Sequence, residues 1–266
     1  MNRDDPNRTD PAPRAPFVMH QSWHDLLFIH YRVPAELLRT VVPASLPLDT
    51  FRGEAYVGIV PFRMANVRPR FLPPLPWLSF FPELNVRTYV TLDQRPGVYF
   101  FSLDAGNRAA VEIARAWFHL PYFKATMECR ARDGEVRYSS TRTDPRGKAA
   151  GLQARYAPTG PAFVAERDSL EYFLTARYCL YTLNARQEVL RAEIHHKPWE
   201  LQPARLQAQA NTMLDPLGLS LPAEAPHLLF VNKIQVLVWP PKRVNLAPSA
   251  PAAAGAGNGR PGRPCC

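Results

Sequence analysis

The chain has 266 residues, 46% of them hydrophobic, enough for one large domain or two small ones. Its formal net charge of +9 comes from 27 Arg and five Lys scattered along the sequence, with no zinc-finger spacing, RNP-like motif or basic recognition helix, so nucleic acid is not the expected partner. No stretch of about 18 apolar residues occurs and the terminal Cys265-Cys266 pair is no prenylation box, so a membrane span or anchor is not expected either.

Residues 1–16 hold four prolines among alternating charges, and residues 247–266 are almost wholly Ala, Pro, Gly and Arg. Neither stretch can bury enough apolar area to offset its ordering entropy. Disordered tails are therefore expected over 1–16 and 245–266, around one domain over 17–244. With no secretory signal ahead of it, the domain is expected in a reducing, cytoplasmic compartment, where Cys129 and Cys179 act as small hydrophobes.

In chain order, residues 22–32 predict a long strand, 34–39 a short helix opened by Pro34, and 55–62 a second strand. Residues 68–77 are too rich in proline for either element. They predict a loop folded over an apolar rim through Phe71, Leu72 and Trp77, with a PxxP ligand as the competing reading. Strands over 81–90 and 97–104 follow. A helix over 107–118 has Asn107 as N-cap and Ala110, Ile113 and Trp117 as one apolar stripe, and Pro121 stops it. Residues 123–131 and 135–143 form a hairpin turning at Asp133-Gly134, and 152–156 a further strand. Asp168-Ser169-Leu170-Glu171 has capping-box spacing for a helix ending near Thr175. A second hairpin joins 178–183 to 189–195 through Asn184-Ala185, and the last strand, 228–239, is ended by Pro240-Pro241. About nine strands against three short helices, joined by hairpin-length loops, predict a mainly β (α+β) chain. Its expected form is a single antiparallel β-barrel or strongly curved sandwich. No G-x-G-x-x-G, P-loop or G-x-S-x-G motif supports nucleotide or serine-hydrolase chemistry.

The strand over 81–90 alternates with a period of two. Leu84, Val86, Thr88 and Val90 point one way, and Glu83, Asn85, Arg87 and Tyr89 the other. The following strand, 97–104, is apolar on both faces, as a strand covered on both sides must be. A row of acid, amide and guanidinium beside such a strand is expected to line a pocket, because polar groups against buried surface need partners or a ligand. Glu83 is the candidate proton acceptor or donor. Asn85, Arg87, Tyr89 and, on the neighbouring strand, Tyr99 are the candidate ligand contacts, with Arg87 gripping a carboxylate bidentately. The competing reading is a structural ion pair between Glu83 and Arg87.

Several blocks in order give the sequence a family resemblance: residues 23–31, 46–53 leading into 57–62, 83–89, 97–104, 120–122, 173–178 and His196-Lys197-Pro198-Trp199. Over residues 17–244 the chain resembles the YqjF-like family of uncharacterised bacterial proteins, which in turn resembles the acetoacetate-decarboxylase-like superfamily. That resemblance implies a cone-shaped antiparallel barrel around an internal cavity. It also implies a Schiff-base lysine in the decarboxylases themselves, whose catalytic order of arginine, glutamate and paired lysines is matched here by Arg32, Glu83 and a single Lys124. The second lysine that would activate the first is missing.

Lys124 shares a strand face with Thr126, Glu128 and Arg130, so it is expected in solvent at its ordinary charge, unable to form a Schiff base. The histidines have no acid or thiol partners at ligand spacing, so no metal or other cofactor is expected. Two classes of function follow. One is a protein that binds or acts on a small carbonyl- or carboxylate-bearing metabolite inside the barrel. The other is a non-catalytic structural or protein-interaction module whose barrel is filled by its own side chains. Oligomeric state is not legible.

Overall fold

Beyond Asp25, the first strand, β1 (Met19–Val33), is buried on both faces as far as Tyr31. Leu26 and Phe28 join one buried cluster, while Leu27, Ile29, Tyr31 and Val33 join another. A strand buried on both sides must separate two interiors, and the computed structural model, which describes residues 13–244, has two.

After α1 (Ala35–Val41), a meander of β2 (Ala55–Pro69), β3 (Phe81–Leu92) and β4 (Arg95–Ala105) builds out from β1. The helix α2 (Arg108–Phe118) then carries the chain across to β5 (Tyr122–Arg132), β6 (Glu135–Arg142) and β7 (Gly151–Pro158). Helix α3 (Leu170–Thr175) leads to β8 (Cys179–Leu183), β9 (Val189–His195) and β10 (Gln202–Asn211). The chain returns through β11 (His227–Val238) and the short β12 (Lys242–Arg243).

The pairings close two rings that share five strands. Nine strands run β4-β3-β2-β1-β11-β10-β7-β6-β5 and close where β5 meets β4. Seven run β4-β3-β2-β1-β11-β9-β8 and close where β9 meets β11. Along the shared wall, alternate residues face alternate interiors. The nine-stranded ring encloses Leu27, Ile29, Leu84, Val86, Tyr138 and Tyr156, and the seven-stranded ring encloses Phe28, Phe62, Tyr89, Leu103 and Trp199.

The expected barrel is present, and the antiparallel pattern holds except at β4. There, parallel pairings to β5 and β8 seal the rings over three and two residue pairs. The pairing to β5 is made possible by α2, because neighbouring parallel strands need a crossover. Other differences are local. Strand β2 runs on through Pro69 into the stretch expected as loop. Strand β10 was not expected at all. Ser169, not Asp168, caps α3 by accepting from the Tyr172 amide.

The helix stripe also differs. The side chains that α2 buries are Val111 and Phe118, while Ile113 and Trp117 are 45% and 51% exposed. The loop after β2 does not fold down over an apolar rim: Phe71, Leu72 and Trp77 are all exposed. Asn107 Nδ2 ties that loop to the start of α2 by donating to the Trp77 carbonyl at 2.6 Å. The expected disorder of the tails concerns segments that lie outside the described residues, apart from 13–16. Within that stretch the Ala15 carbonyl accepts from Trp239 Nε1.

Candidate functional site

The seven-stranded ring is not filled. It holds a cavity of about 220 Å³, open at one end between the start of β1, the end of β2 and helix α2. Along β3 the lining runs from Phe81 through Glu83 and Asn85 to Arg87. The period-two pattern thus delivers three polar side chains in a row to the inside of the ring. Beside Arg87, β2 carries Gly58, where a Cβ would lie 3.2 Å from the His30 ring and 3.5 Å from Arg87 Cγ. Its missing side chain lets these two residues share the closed end.

Glu83 is 2% exposed, and its Oε2 accepts from the Tyr122 hydroxyl at 2.9 Å. Burial pushes its pKa up from an ordinary 4.5 to about 8, with the Tyr122 hydrogen bond pulling the other way. At neutral pH it is an uncharged carboxylic acid. Asn85 Oδ1 and Arg87 Nε are buried without hydrogen-bond partners. Arg87 Nη2 makes one long contact to the Leu174 carbonyl at 3.4 Å, and the guanidinium lies over the rings of Phe28 and Tyr89. Among the described residues Arg87 has no ion pair, so the structural pairing with Glu83 is not formed. Buried polar atoms are seldom left unmatched, and those bordering a cavity await a ligand or water.

Behind this row, the Tyr89 hydroxyl lies 2.6 Å from His30 Nε2. Burial, then the nearby Arg87, holds His30 well below its ordinary pKa, so the imidazole is neutral. Arg177 also reaches the cavity wall, but its charge is matched by Asp49 and its guanidinium covers the Phe173 ring. Arg87 is therefore the buried cavity cation without a counter-ion; the third arginine of the lining, Arg68, is half-exposed at the end of β2.

Of the residues expected from sequence, Glu83, Asn85 and Arg87 meet at the cavity. Tyr89 is fully buried behind them and reaches His30 rather than the open space. Tyr99 does not join them. It lies on the opposite face of β4, packed edge-on to Phe101 with ring centroids 5.5 Å apart. Arg32 pairs with Glu54 and Glu224 on the outside, and Lys124 is exposed on β5, so the order Arg32, Glu83, Lys124 does not converge on one site. All five lysines of the chain are exposed.

Three contributors were not read from the sequence: Tyr122, which holds the Glu83 carboxyl, and the wall residues Trp23 and Trp199. Tyr122 follows Pro121 at the very start of β5, where alternation has no earlier residue to count from. Among the described residues no three His, Cys, Asp or Glu side chains converge to form a cation cage.

Comparison with known proteins agrees with this architecture. The family DUF2071, described as an uncharacterized conserved protein, matches residues 20–235. The uncharacterized protein YqjF of Bacillus subtilis is 45% identical over 229 residues, covering 86% of this chain and 93% of that protein. Among solved structures, acetoacetate decarboxylase from Legionella pneumophila is similar with a TM-score of 0.59 at 14% identity, covering 91% of this chain and 94% of that one. The enduracididine biosynthesis enzyme MppR, solved in complex with pyruvate, is similar with a TM-score of 0.59 at 12% identity, covering 86% and 91%. Identities this low establish a shared fold.

Proposed function

The chain belongs to the DUF2071 family of uncharacterized conserved proteins, and we propose that it binds or acts on a small carbonyl- or carboxylate-bearing metabolite inside its seven-stranded ring. The supporting observation is the buried guanidinium of Arg87, which borders the cavity with Nε unbonded and no carboxylate beside it. A ligand carboxylate supplies the missing charge and accepts from the guanidinium fork. Asn85 presents an amide one step along, and Glu83 a protonated carboxyl beyond it. Glu83 can donate to a ligand oxygen or release its proton to one, since a carboxyl with a pKa of about 8 exchanges its proton near neutral pH. That a protein of this fold holds pyruvate, a keto carboxylate, fits the same reading.

Schiff-base decarboxylation has no support, because the cavity wall includes no lysine. The alternative of a side-chain-filled barrel suits the nine-stranded ring but not the seven-stranded one.

A thermal-shift screen over keto acids and simple carboxylates tests the proposal, since any ligand of the native state raises the melting temperature by mass action. The expected result is stabilisation by carboxylates and none by the matching amides. Equal response of wild type and Arg87→Ala would sink it.

A further inference from the structure

The shape and polarity of the cavity narrow the ligand beyond a carboxylate. Its lining along β3 spans Phe81 to Arg87, six residue steps or about 20 Å of strand. A cavity of about 220 Å³ bordered along that length is drawn out along the strand, so we treat it as a tube. The tube is closed at the Arg87 end by Thr175 and Arg177, both buried. It opens at the Phe81 end between Met19, Pro69 and Trp117.

Away from β3 the wall is overwhelmingly apolar, with Leu26, Phe62, Met64, Phe100, Leu103 and Trp199. A sugar or a polyanion would lose its water there and find no partners. The charge is equally restrictive. Arg87 is the one unmatched cation at the closed end, Arg68 lies half-exposed at the mouth where water reaches it, and Glu83, protonated at neutral pH, adds a donor but no charge. At the open end the apolar surface continues outward. Ile113 and Trp117 line the mouth while half exposed, and the adjoining loop leaves Leu75, Trp77 and Phe80 in solvent.

We propose that this tube takes a slender amphiphilic monocarboxylate, a fatty acid in chemical class, with its carboxylate on Arg87 and its chain running past Glu83 towards the mouth. The proposal rests on the reading of Arg87 as the carboxylate clamp and adds the chain. It accounts for three features that a compact keto acid leaves unused: the length of the tube, its apolar wall, and the exposed aromatic rim. Asn85 and Glu83 flank the chain beyond the carboxylate, where the unpaired Asn85 Oδ1 can accept from, and the Glu83 carboxyl donate to, a hydroxyl substituent.

The test is calorimetric titration of the full-length protein with butyrate, octanoate, dodecanoate and tetradecanoate, and with octanol as a headless control. Affinity should rise about fourfold for each added methylene, and octanol should bind about tenfold or more weakly than octanoate. Arg87→Ala should reduce octanoate to the level of octanol. Trp117→Ser, at an exposed position that spares folding, should weaken tetradecanoate about tenfold and leave butyrate unchanged. If short carboxylates bind through Arg87 with no gain from a longer chain, the chain is wrong and the clamp stands. Tight octanoate binding unaffected by Arg87→Ala overturns the clamp itself, and failure of every carboxylate overturns both.

Discussion

On one side of β3, Leu84 and Val86 meet Tyr138, Leu152 and Tyr156 in an interior packed with side chains. One residue along, on the other side, Glu83, Asn85 and Arg87 border open space. The two interiors share five strands and differ in whether their polar side chains border open space. In the nine-stranded ring the Tyr138 hydroxyl donates to the Glu83 carbonyl at 2.7 Å and the Tyr156 hydroxyl to the Asp25 carbonyl at 2.8 Å. In the seven-stranded ring Asn85 and Arg87 keep atoms unbonded. The nine-stranded side has loose ends too, at Ser140 Oγ and Arg142 Nη2, but neither residue lines the cavity, whereas Asn85 and Arg87 do, and that marks the half that meets a ligand.

The contrast can be broken most forcefully at aromatic side chains. Phe230→Ala in the packed ring should cost about 3–5 kcal/mol of unfolding free energy by denaturant titration, the cost of emptying a filled site. Phe100→Ala, half-buried beside existing space, should cost less than about 2 kcal/mol because less packing is lost. Equal costs would mean that the two interiors are packed alike.

Next in size is Arg87→Ala, which should weaken a carboxylate ligand by about 2 kcal/mol or more. It should leave the ligand-free protein as stable as wild type or more so, because it removes a buried charge that has no ion pair. A destabilised ligand-free variant would point to a structural role.

Glu83 adds a pH signature. Its folded pKa, about 8, lies above the ordinary 4.5, so across that window the native state holds a proton that the unfolded chain releases. Stability therefore falls as pH rises from about 5 to 8, and below that window the effect is absent. Glu83→Gln should flatten the fall and gain at least about 1.4 kcal/mol over wild type at pH 8, the worth of one pKa unit. Parallel pH profiles of the two proteins would place the Glu83 pKa near its ordinary value.

The smallest effect belongs to Lys124. Its replacement by Ala should change stability by less than about 0.5 kcal/mol, and borohydride with a keto acid should trap no adduct there. An adduct at Lys124 would return the chain to Schiff-base chemistry.

Much of the site was legible because β-strand geometry is simple. A period of two from Glu83 to Tyr89, next to a strand apolar on both faces, was sufficient to set three polar side chains inside a pocket. Tyr99 could not be placed in the same way. With both faces of β4 apolar, alternation does not say which face is which, and a bulge opposite Val86 and Arg87 breaks the count partway along. Strand β10 escaped notice because Gln202–Asn211 is mostly Gln, Ala and Arg, residues that few strands favour, and its pairing with β7 holds it in place. The division into two rings was not legible either. It depends on β9 reaching β11 and β5 reaching β4, pairings that no local pattern records.

The shared wall has a consequence for how reliably the chain finds its register. A slip of one residue along β3 would turn Glu83, Asn85 and Arg87 into the packed interior and Leu84 and Val86 into the tube. In a sheet with one wet face such an error costs one set of contacts; here it spoils both interiors at once. Each ring thereby proofreads the other, and the polar row can be kept in the middle of a buried strand without loosening its alignment.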